Sequence, residues 1–145
     1  SRWHGHQLRE TGFRSYLRES APDFAVVDTL VNLETRTVTH EATIDLLARH
    51  SDLRGIYVAG GGMEGAIAAL REVCPPGKVS LVVNELTEES RAGLVDGYVT
   101  MVIATPLAQL CADLVEMMFN AVRTGSSETP GQHFLEPRLY LPESI

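Results

Sequence analysis

Gly55-Ile56-Tyr57-Val58-Ala59-Gly60-Gly61-Gly62, followed by an apolar stripe at Met63, Ala66, Ile67 and Leu70, reads as strand, tight turn and helix. The pattern restarts at Val79-Ser80-Leu81-Val82-Val83, a second apolar run that stops at Asn84-Glu85. Two consecutive strand–helix units imply parallel strands in one sheet, with the crossover helix packed on a face. In open sheets of this kind ligands sit outside the carboxyl ends of the strands. The Gly60–Met63 turn and Asn84-Glu85 are both expected there.

The same alternation continues outward. Leu8, Gly12, Phe13, Tyr16 and Leu17 recur at helical spacing, and Pro22 predicts a helix end near Ser20. Phe24-Ala25-Val26-Val27-Asp28 reads as a strand. A helix is expected from about Leu33 to His50, with Val38, Ala42, Leu46 and Leu47 inward. Pro75-Pro76-Gly77 halts the helix that begins at Met63, and Thr87 before Glu88-Glu89 marks an N-cap. Tyr98–Ile103 is a further strand region, Pro106 opens a helix, and Gly125–Gly131 is a polar connector. Phe134–Leu141 reads as a last strand, which Pro137 confines to an edge or a bulge. The expected class is α/β: a three-layer α/β/α sandwich with a mostly parallel sheet. Leu107, Leu110, Cys111, Leu114, Met117 and Met118 give the last long helix an apolar face too wide for this chain to cover, which points to a larger protein or an obligate oligomer.

Composition narrows the functional classes. At 145 residues the chain is about one domain, and its net charge of −7 offers no electrostatic footprint for a phosphate backbone. No apolar run approaches a membrane span, and Ser1–His6 does not read as a signal peptide, so a cytoplasmic protein without membrane contact is expected. Cys74 and Cys111, far apart and in no C-x-x-C pair, are expected to be buried, reduced thiols. His4 and His6 form an H-x-H but lack a third ligand nearby, so no metal site is expected.

Gly60, Gly62 and Gly65 spell G-x-G-x-x-G between strand and helix, and Glu85 ends the next strand. That is the context of a dinucleotide site, with glycines for the pyrophosphate and an acid for the ribose. Against it, another helix–strand–helix unit precedes the motif, no second mononucleotide half follows, and no acid or base is placed for hydride transfer. The alternative is a tight turn that allows close approach of a ligand or of backbone. No cofactor is expected on that reading, and no nucleophile–base pair supports an enzyme.

Several segments, in order, resemble the effector-binding module of LacI-type transcription regulators, which share the type I periplasmic-binding-protein fold. Gly5-His6, Arg9 and Gly12-Phe13-Arg14 are similar to the family's R-x-x-G-F helix opening. His50-Ser51-Asp52-Leu53-Arg54-Gly55-Ile56-Tyr57 resembles its approach to the central strand, and Val83-Asn84-Glu85-Leu86-Thr87 its next strand end. Ala59–Gly65 takes the place of its ligand-contacting turn, and Pro106–Met118 that of the helix after its crossover strand.

The resemblance implies that residues 1–145 are the C-terminal portion of the effector domain, one lobe of a two-lobed clamp. The other lobe and a helix-turn-helix would then lie outside this chain. It implies a non-enzymatic homodimeric sensor of a small sugar or sugar phosphate, which touches DNA only through the other domain. The implied ligand contacts are Arg9, Gly60, Gly61, Met63, Asn84 and Glu85. A transport receptor of the same fold, or a nicotinamide enzyme, are the alternatives. Gly60-Gly61 replaces the family's asparagine or aspartate, and Ala104-Thr105 its glutamine. Two hydrogen-bonding positions are expected to be lost thereby, favouring a ligand that is smaller, phosphorylated or held by backbone groups.

Overall fold

The structure is a computed structural model that describes residues 4–31, 35–125 and 133–145. Strands β1 (Gly55–Val58), β2 (Ser80–Asn84) and β3 (Met101–Ala104) are parallel, and β4 (Arg138–Tyr140) adds antiparallel to β3, giving the order β1-β2-β3-β4. Between them run α3 (Met63–Val73), α4 (Glu88–Val95) and α5 (Leu107–Thr124), and ahead of them α1 (His4–Ser20) and α2 (Arg36–Arg49). The expected α/β class with a mostly parallel sheet holds. The final strand takes the edge, where Pro137 forfeits no ladder bond.

Strand alternation sorts the core. Ile56, Val58, Leu81, Val83, Val102 and Ala104 face one side and close on Ala66, Ile67 and Leu70 of α3 and Leu94 of α4. Each large aliphatic side chain buried there is worth about 1.5–3 kcal/mol. Local chemistry fixes the helix ends. Gly62, at φ 82°, caps α3 in the left-handed region that favours glycine. Thr87 and Ser90 exchange hydrogen bonds in a capping box at the start of α4, and Ser90 is wholly buried.

Helix α2 lies on α3 with Thr39, Thr43 and Leu46 buried, whereas Val38 is exposed. The expectation for Val38 fails because the contact selects small side chains. A Cβ on Gly65 would stand 2.1 Å from the Arg36 carbonyl oxygen and 3.0 Å from Thr39 Cβ, so the two helices meet nearly backbone to backbone. The Thr43 hydroxyl is satisfied by the Thr39 carbonyl at 2.7 Å. The predicted start of this helix near Leu33 falls outside the described residues.

Phe24–Asp28 is not a strand. It runs without ladder partners and with Phe24 and Val27 exposed, although the outer edge of β1 pairs with no described strand, so strand composition alone does not bring about pairing. Side chains hold the segment instead. Arg14 donates to Thr29, and Arg49 bridges Asp45 at 2.8 Å and Asp28 at 3.2 Å. The hydrogen bonds to Asp45 and Asp28 raise the Arg49 pKa further.

The other sheet face is thinly covered. There the ring of Phe13 from α1 packs on Tyr57, at 5.5 Å between centroids. Helix α5 buries none of its residues, and Leu114, Met118, Phe119 and Val122 are all exposed, as its wide apolar face led us to expect. Cys74 and Cys111 are unpaired, but neither is buried: Cys74 is half-buried, and Cys111 is exposed because it rides on this uncovered helix. No described helix is long and apolar enough to cross a membrane. Of the connector 125–131, only Gly125, the left-handed cap of α5, lies within the described residues.

Candidate functional site

The carboxyl ends of three parallel strands open on the same side, and the turns that follow them build a cleft. Its floor is locked by side chains. Asn84, last in β2 and only 5% exposed, donates from Nδ2 to the Val58 carbonyl at 3.0 Å and to the Tyr57 hydroxyl oxygen at 3.2 Å. That pair carries the link between β1 and β2 beyond the regular ladder. The Asn84 carbonyl oxygen accepts nothing from the described residues and remains an acceptor for a ligand.

Glu85 follows at φ 70°, the one non-glycine with positive φ among the described residues. A left-handed glutamate is strained, and four hydrogen bonds hold it there. Its N–H donates to the Ile103 carbonyl at 2.9 Å, and its carbonyl accepts from the Ser90 hydroxyl at 3.0 Å. Its carboxylate accepts from the Thr105 N–H at 3.1 Å and the Thr105 hydroxyl at 2.7 Å. Thr105 thus directs both its backbone N–H and its hydroxyl to the Glu85 carboxylate.

From α1, Arg9 Nη1 donates to the Ala59 carbonyl at 2.7 Å, which lays the exposed guanidinium over the end of β1. His6, one turn earlier, packs on Gly60. A Cβ there would stand 2.6 Å from the imidazole Cε1, so only glycine gives that ring its seat. Two adjoining recesses of about 420 and 330 Å³ result, and Arg9, Asn84 and Glu85 line both. The larger is completed by His6, Gly60, Gly61 and Met63, and the smaller adds Tyr57, Thr105, Leu110 and His133.

All six residues selected from sequence thus line one cleft, although they come from three places in the chain. Sequence reasoning missed His6, Tyr57 and Thr105 as neighbours of that site. Only the tyrosine left a trace, as a polar-tipped residue within an otherwise apolar strand.

The three glycines of the dinucleotide pattern serve other ends. Gly60 seats His6, Gly62 caps α3, and Gly65 admits α2. A pyrophosphate motif requires its third glycine for helix–strand packing. Here Gly65 is buried between two helices, which removes the structural case for a nicotinamide cofactor. Among the described residues, no three His, Cys, Asp or Glu side chains gather as a metal site.

Comparison with solved structures places the fold. GanP, a glucose–galactose binding protein from Geobacillus stearothermophilus, superposes with a TM-score of 0.84 at 18% identity over 96% of this chain and 49% of its own. A solute-binding protein of an ABC transporter from Agrobacterium vitis, bound to α-D-tagatopyranose, gives 0.84 at 21% identity over 95% of this chain and 46% of its own. A periplasmic ribose ABC transporter protein from Conexibacter woesei gives 0.80 at 23% identity, over 94% and 46%. The chain spans about half the length of these structures, as one lobe of a two-lobed fold would. No curated protein sequence matches it significantly. The model of the periplasmic binding protein domain matches residues 3–126. With that match and the lobe architecture in agreement, the chain belongs to the periplasmic binding protein domain family.

Proposed function

We propose that this chain is one lobe of a hinged receptor that holds a small sugar-like solute without transforming it. The observation that carries the reading is the convergence of Arg9, Asn84 and Glu85 on one cleft at the strand ends. A hydroxyl both donates and accepts, and the three side chains match that need. The guanidinium donates, the free Asn84 oxygen accepts, and the Glu85 carboxylate accepts with the added strength of its charge. Arg9 would serve a sugar phosphate equally. Binding biases opening against closure only as far as the ligand prefers one of the two.

Two uses of such a clamp are in view. The sugar-binding and transporter proteins among the structural neighbours favour a transport receptor. The resemblance of the Arg9–Arg14, His50–Tyr57 and Val83–Thr87 segments to LacI-type regulators favours a dimeric cytoplasmic sensor coupled to a DNA-binding domain.

A thermal-shift screen of the complete protein against monosaccharides and their phosphates tests the shared core, because a ligand of the native state raises its melting temperature. No shift with any of them would refute it. A DNA mobility-shift assay with the ligand so found separates the two uses. A sensor changes its DNA affinity on binding, and Glu85→Ala should abolish that response while leaving DNA affinity intact. A transport receptor binds no operator.

A further inference from the structure

The bonds around Glu85 assign a role to a residue that does not itself face the ligand as a donor. We infer that Thr105 is a positioning residue of the site, acting through Glu85. The inference rests on the sugar-binding reading above and concerns how the cleft prepares its acceptor.

Glutamate has three rotatable side-chain bonds, and a free one would sweep the cleft. Here each carboxylate oxygen takes one donor from the same residue: Oε2 the Thr105 N–H at 3.1 Å, Oε1 the Thr105 hydroxyl at 2.7 Å. Such two-point contact fixes the carboxylate plane as well as its place. A carboxylate has about four acceptor sites, so roughly one on each oxygen remains. The pair is held ready for two hydroxyls with no further ordering of the side chain, which is what preorganisation contributes to affinity.

The backbone cooperates. The left-handed turn at Glu85 is pinned by Ile103 and Ser90, so the side chain starts from a fixed Cα and ends on a fixed Thr105. Thr105 directly follows β3 and precedes Pro106, the cap of α5, so its own position is set by the sheet. Serine would preserve both donors. Valine would preserve shape and the N–H but remove the hydroxyl.

The test uses the complete protein, titrated with D-glucose, D-galactose, D-ribose, D-tagatose and their phosphates, and then carries the tightest of them through every variant. Thr105→Val, melting cooperatively, should raise Kd roughly three- to tenfold, and Thr105→Ser should restore it. If valine perturbs the fold, Thr105→Ala carries the same comparison. The decisive readout is a double-mutant cycle with Glu85→Gln. A residue acting through Glu85 loses its effect once the carboxylate is gone, so Thr105→Val should add little to Glu85→Gln. Wild-type affinity in Thr105→Val, no rescue by serine, or full additivity in the cycle would each overturn the assignment. Absence of binding by the wild-type protein to all four sugars and to their phosphates would instead sink the sugar reading, and the assignment with it.

Discussion

Replacing Gly65 by alanine should cost this lobe much of its stability, although the same change in most helices is favourable. Inside a helix, alanine gains about 1 kcal/mol over glycine. At Gly65 the added methyl would lie 2.1 Å from the Arg36 carbonyl oxygen and 2.7 Å from the His40 backbone nitrogen. Ordinary contact distance is about 3.5 Å, so α2 would have to retreat by more than about 1 Å, and neither obstacle is a side chain that can swing away. Overpacking of well-fitted contacts costs about 1–3 kcal/mol, and an overlap with backbone belongs at or beyond the top of that range, about 4 kcal/mol. The net loss is about 3 kcal/mol, or on the order of 10 °C in melting temperature for a chain of this size.

Urea and thermal unfolding followed by circular dichroism would measure it, with Gly12→Ala as control. Gly12 sits inside α1 with nothing within 4 Å of an added Cβ, so alanine there should be neutral or stabilising. If Gly65→Ala melts at or above the wild type, the backbone-to-backbone packing of α2 on α3 is wrong. The pyrophosphate interpretation of that glycine would then regain its footing.

Arg9→Ala should weaken sugar binding by tenfold or more in calorimetry while barely moving the melting temperature, since the side chain is exposed and, among the described residues, makes one hydrogen bond, to Ala59. Asn84→Leu should lower stability by about 1–3 kcal/mol, because the Val58 carbonyl and the Tyr57 hydroxyl both lose their donor; denaturant titration reads the loss. Gly60→Val should alter ligand selectivity, because its side chain must evict the His6 ring from the cleft; a sugar panel in thermal shift would report the change. The isolated 145-residue chain should self-associate through α5, and Phe119→Asp with Val122→Asp should shift sedimentation toward monomer.

The strand–turn–helix units were legible because their signals are local. Period and punctuation placed α3, β2 and α4 within a few residues, and Thr87 announced its cap, while of the strand expected over Phe134–Leu141 only Arg138–Tyr140 pairs, after Pro137. The failures share one cause. Phe24–Asp28 has strand composition, but composition does not decide where the segment runs, and it pairs with no described strand. Val38 has the periodicity of an inward residue, but the approach of α2 to Gly65 turned Thr39 and Thr43 inward instead. Cys111 has the character of a buried thiol, but burial requires something to lie over α5.

The candidate site divides the same way. Which residues stand at strand ends follows from where strands stop, and so Asn84, Glu85 and the Gly60–Met63 turn could be selected from the chain alone, with Arg9 added by resemblance. What each of them does there could not. The Glu85 carboxylate is bound by a residue twenty positions away, the Asn84 amide by a strand that precedes it, and Gly60 is defined by a histidine from α1. By itself the sequence determined the layering of the lobe and the rim on which a ligand would rest, because hydrophobic period and turn chemistry act over a few neighbouring residues. Only the tertiary structure decided which donors meet which acceptors across that rim, because those distances are set by how the helices and strands pack, and no short stretch of chain encodes them.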